Sequence, residues 1–170
     1  MNVRERADTI GTFRFIEVRL MESVAYWTPI TPQMELKVMF GRHIFDHAQH
    51  ADWLGKRTFE LRQPEHYTRQ STPEYLQLLD RMRTSPDIAE RLTILYDVVI
   101  PGLIARYERY LADTDRLLDA PSVLVIERIL PELKRQIADS VRLRNELHIG
   151  AADATEMRAR EAGISSVVAA

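Results

Sequence analysis

At 170 residues with a formal charge of −2 and a pI near 6.2, the chain is long enough for one hydrophobic core and lacks a global field that would draw it to nucleic acid or an anionic membrane. Its 45% hydrophobic and 28% charged residues, with only six glycines, exclude a disordered chain and favour helix-compatible types. The absence of cysteine excludes disulfides, thiolate metal sites and a cysteine nucleophile, so any metal must be held by nitrogen and oxygen.

The N-terminal stretch MNVRERADTIGTF lacks the unbroken apolar core of a signal peptide, and no segment approaches the roughly 20 apolar residues that span a bilayer, which makes the cytoplasm the expected location. A first helix is expected from Val3 to Trp27. At about 100° per residue, Ile10, Phe13, Glu17, Leu20, Met21 and Val24 share one face, with Glu17 near its centre. A carboxylate there is costly unless it is paired, hydrogen-bonded or bound to a cation. Glu22 projects to the opposite side.

Three dipeptides, Thr31-Pro32, Thr72-Pro73 and Ser85-Pro86, each combine a hydroxyl residue able to cap a first turn with a proline that sacrifices no helical hydrogen bond. They predict helix starts at Pro32, Pro73 and Pro86. The second helix is expected from Pro32 to about Arg62. Its inward face holds Leu36, Phe40, His43, His47, His50, Leu54 and Leu61, all within about 40° of one direction. Three of the chain's five histidines therefore lie in an apolar stripe. Asp46 falls at the stripe's edge and Asp52 points away.

A polar connection follows, carrying a short helix from Pro73 to about Arg83. The third helix is expected from Pro86 to about Ala112, with Leu92, Tyr96, Val99, Leu103, Tyr107 and Tyr110 inward and Glu108 outward. The fourth is expected from Pro121 to His148, with Ile126, Ile129, Leu133, Ile137 and Val141 inward, Gln136 and Ser140 on the flank, and Glu132 further round. Pro101 and Pro131 lie inside these helices and should bend them. Trp27 and Trp53 read as packing residues near the helix ends, and His66 and His148 as exposed or terminal. Nothing alternates with period two, so the expected fold is all-α: a four-helix bundle over 1–150 and, over 151–170, a tail or short docking helix.

The stretch Arg42 to Ala51, RHIFDHAQHA, supported by Glu17 and by DAPSVLVIERIL at the opening of the fourth helix, resembles the ferritin-like four-helix-bundle superfamily. Di-metal members of that superfamily use a glutamate from each of two helices and Glu-x-x-His from each of the other two. Against that pattern Glu17 matches the first-helix acid and His50 the second-helix histidine. His47 stands where a glutamate would be, the third helix has no inward acid, and Leu133 and Gln136 occupy the fourth-helix positions. Too few carboxylates remain for two cations, which speaks against iron storage and di-iron dioxygen chemistry.

Three readings stay open. In the first, His43 and His47, four apart on one helix face, join Glu17 and His50 around a single iron, manganese or zinc ion, in a divergent oxidoreductase with an unidentified small-molecule substrate. Tyr107 and Tyr110 are then the candidate catalytic phenols. In the second, the same groups form a metal-free polar core of a ferritin-like binding or scaffold protein, with a homodimer through an exposed helix face as its expected partner. In the third they line a metal-free pocket, with histidines as acid and base.

Overall fold

The computed structural model describes residues 1–169 and is helical throughout, with no strand among the described residues beyond an isolated antiparallel bridge between Ser71 and Val168. Helix α1 runs Val3–Trp27 and α2 runs Met34–Glu60. Helix α3 spans Pro73–Thr84 in the connection. A third long rod comprises α4 (Ile88–Ile94), a π-helical segment (Leu95–Val99) and α5 (Ile100–Asp113). Helix α6 runs Ala120–Glu146 and α7 runs Thr155–Gly163.

The start of α1 is a reciprocal cap. The Asn2 side chain accepts from the Glu5 amide at 2.9 Å, and the Glu5 carboxylate accepts from the Asn2 amide at 2.8 Å. Of the three hydroxyl–proline pairs, Thr72-Pro73 begins a helix at the expected place, although the Thr72 hydroxyl donates to the Ser166 carbonyl at 3.4 Å and does not cap the first turn. The other two pairs do not begin a helix. Thr31 instead donates to the Trp27 carbonyl at 2.8 Å and so completes the end of α1, and α2 begins at Met34. Asp87 rather than Ser85 caps α4, its side chain accepting from the Glu90 amide at 3.0 Å, and the Ser85 hydroxyl is spent on the Glu90 carboxylate.

The buried positions of the long helices follow alternating steps of three and four. On α1 they include Ile10, Phe13, Glu17, Leu20, Val24 and Trp27, and on α2 Leu36, Phe40, His43, His47, His50 and Leu54. On α6 they are Ile126, Ile129, Leu133, Gln136, Ser140 and Leu143. This is the seam of helices that wind gently around one another. It corrects the expected α6 face: Gln136 and Ser140 are fully buried, whereas Val141 is 44% exposed. Core residues come from α1, α2, α3, the α4–α5 rod and α6, with Met157 of α7 closing one side.

Pro101 acts on the third rod through the turn before it. Proline has no amide to donate and its ring crowds the carbonyl four residues back. The chain widens over Leu95–Val99, where the Ile100 amide reaches the Leu95 carbonyl. The inward face expected of this rod is kept across the wider turn: Leu92, Tyr96, Val99, Leu103, Tyr107 and Tyr110 are all buried. Pro131 lies within the unbroken α6. Helix α7 packs against α3 and the π-helical segment, and Arg106 of α5 pairs with its Glu161 and donates to the Ile164 carbonyl at 3.1 Å. No helix of the described residues is long and apolar enough to cross a membrane.

Candidate metal centre

Glu17 sits at the middle of the α1 seam and is completely removed from solvent. Two imidazoles on successive turns of α2 point at one of its oxygens. His47 Nδ1 donates to Oε2 at 2.6 Å and His50 Nδ1 lies 3.2 Å from the same atom. The other oxygen, Oε1, accepts from the Tyr107 hydroxyl at 2.7 Å. One carboxylate is thus held from α1, α2 and α5 together.

His50 reaches further. Its Nε2 lies 3.0 Å from Oε2 of Glu132 on α6, so the ring stands between two carboxylates. Carboxylates accept but cannot donate, which requires a proton on both ring nitrogens when both acids are ionised. Burial alone would lower the His50 pKa, yet Glu17 and then Glu132 override it and raise it. For Glu17, burial pushes the carboxyl upward, but the charge of His50 and the hydrogen bond from His47 hold it well below the usual carboxylate range. The Tyr107 phenol is driven far above its ordinary value, by burial first and by Glu17 second, so it is a neutral donor.

His43 does not join this group. Its Nδ1 lies 2.7 Å from the Tyr96 hydroxyl, and its Nε2 is 3.7 Å from Oδ2 of Asp139 on α6. Burial, reinforced by the nearby His47, lowers its pKa to about 4 against the opposing pull of Asp46 and Asp139. Tyr110 is also elsewhere. It donates at 2.6 Å to Asp119, a buried carboxylate that also accepts from Thr114, Ser122 and Arg57 at 2.9, 2.7 and 2.9 Å. That cluster ties the end of α5 to the start of α6 and to α2.

Of the residues singled out from sequence, Glu17, His47, His50 and Tyr107 converge, while His43 and Tyr110 belong to neighbouring clusters. Glu132 and Asp139 were missed, because an apolar stripe ending on Ile137 and Val141 turned them outward. The signal available was the three–four spacing of α6, which places Gln136 and Ser140 inward and brings residues beside them to α2. Asp46 is held by Arg135 at 2.6 Å and by the Gln136 amide at 3.3 Å.

Glu17, His47 and His50 each offer a ligand atom within 4.8 Å of the others, and all three are buried, so the group can hold a metal ion. Buried atoms nearby lack partners: Nε2 of His43, Nε2 of His47, Oε1 of Gln136 and Oγ of Ser140. Comparison of the chain with protein-family models, with curated proteins and with solved structures finds no match.

Proposed function

We propose that this chain is a divergent ferritin-like four-helix bundle in which α1, α2, the α4–α5 rod and α6 enclose a single divalent metal ion on Glu17, His47 and His50. One observation carries the reading: a fully buried carboxylate of α1 meets ring nitrogens from two successive turns of α2. The donor set of one oxygen and two nitrogens suits iron, manganese or zinc. The ligand atoms of Glu17, His47 and His50 already lie within 4.8 Å of one another, close enough for one cation to be held between them in place of the protons they now share.

The surroundings support the set. Glu132 accepts from His50 Nε2 and would leave Nδ1 as the ligand atom, while Tyr107 orients the second oxygen of Glu17. Binding would displace the protons now shared between Glu17 and the two rings. A bound iron or manganese supplies one-electron redox chemistry for a small-molecule substrate, with Tyr107 as the phenol beside it.

A second reading, a metal-free binding or scaffold protein with a structural polar core, has its own support: Glu17 is already met by three donors. Element analysis of protein purified without an affinity tag separates the two. The metal reading expects a stoichiometric metal that disappears in His47→Ala. An empty protein whose stability ignores chelator would overturn it and leave the scaffold reading, which expects a concentration-dependent mass or a co-purifying partner.

A further inference from the structure

Glu17, His47 and His50 are sealed from solvent, so a metal needs a polar way in. Toward α5 the way is closed by rings, Phe13 packing edge-to-face on Tyr107 with centroids 4.6 Å apart. Toward Glu132 it is closed by His50, whose ring nitrogens are both engaged, and by Trp53 beneath the guanidinium of Arg128 at 3.9 Å.

The seam between α2 and α6 differs. Contacts of His43 with Asp139, Asp46 with Gln136 and His50 with Glu132 set the two helices antiparallel. The turn holding His43 and His47 therefore opposes the turn holding Gln136 and Ser140. All four side chains are fully buried, and each carries a polar atom with no hydrogen-bond partner. Four buried polar atoms without a protein partner along a single seam offer hydrogen-bonding and lone-pair capacity to whatever polar group passes through it. At the outer end Asp139, 17% exposed, lies 3.5 Å from Arg42 and 3.8 Å from Arg142, both of which a cation must displace from it, and lines a surface groove of about 350 Å³ to which Glu35 and Glu146 add two more carboxylates.

We propose that this seam is the path by which a divalent cation reaches Glu17, from Asp139 to His43 and on past Ser140 and Gln136 to His47. The inference rests on the metal reading above. A cation leaving water loses hydration that only lone pairs can replace, and the seam supplies them in steps. Asp139 collects the ion at the groove, and the unpaired atoms carry it inward.

The test is the rate at which metal-free protein takes up cobalt(II), followed by the visible absorption of the bound ion after rapid mixing. Asp139→Asn, a near-isosteric change at a partly exposed site, and His43→Phe should each slow uptake by about tenfold or more while the final stoichiometry stays that of the wild type. Thermal melts verify that both variants fold. Uptake at the wild-type rate in Asp139→Asn would overturn the path, as would slowing confined to Glu132→Gln, which would move the entrance to the other end of the site. A wild-type protein that takes up no cobalt overturns the path and the metal reading together, whereas normal uptake with unaltered variant rates overturns the path alone.

Discussion

His43 is a buried imidazole whose neutral form the fold prefers, and this has a consequence in acid. Its folded pKa, near 4, lies below the ordinary value of 6.5, so the unfolded chain binds the proton first as pH falls. The contribution is fully present above 6.5 and lost progressively as pH drops toward 4, on the order of 3 kcal/mol in all. Urea unfolding of metal-free protein across that window should show this decline, and His43→Gln should flatten it. Glu17 has the same slope in a lower window: its depressed pKa leaves its contribution fully present above the ordinary carboxylate range, and the contribution is lost progressively as pH falls from that range toward the folded value. The contribution of His50 has the opposite slope, present in acid and fading as pH rises through its raised value.

At the scale of helices, the Asp119 cluster clamps one end of the molecule. Arg57 of α2 is 8% exposed and donates to Ser122, to Asp119 and to Glu60, so removal of the Asp119 carboxylate would leave a buried cation with only the solvent-facing Glu60 as its counter-charge. Asp119→Ala should destabilise by about 3–5 kcal/mol in denaturant titrations while the metal content per folded chain stays unchanged. Tyr110→Phe should likewise spare metal content and cost about 1 kcal/mol, because its hydroxyl serves this clamp rather than Glu17. Helix α7 has a looser attachment. A Cβ on Gly102 would fall on the Glu161 carboxylate, so Gly102→Ala should displace that pair, cost about 1 kcal/mol or less, and speed hydrogen exchange of the α7 amides selectively.

For the whole molecule, a ligand that binds only the folded state raises stability by mass action. Metal at about 100 times its dissociation constant adds about 2.7 kcal/mol, which for a chain of this size raises the melting temperature by roughly 5–10 °C. Calorimetry of loaded and chelator-stripped protein should show that difference in the wild type and none in Glu17→Gln. A shift of equal size in Glu17→Gln would place the metal on the surface instead.

Much of the helical organisation was written locally. Val3–Trp27 coincides with the expected first helix, and the inward positions of Glu17, His47 and His50 followed from spacing alone, because helical phase is a property of the chain itself. Where polar residues fill the seam, spacing read from apolar residues drifted: Gln136 and Ser140 are core positions that hydropathy disguised. Nor could local phase reveal that Tyr96 meets His43 while Tyr107, about three turns further along the same buried face, meets Glu17, or that Glu132 and Asp139 meet the histidines of α2. Those partners lie more than fifty residues apart in every case. Only the mutual register of packed helices decides them, since each helix specifies which of its residues face inward but not which residue of another helix stands opposite.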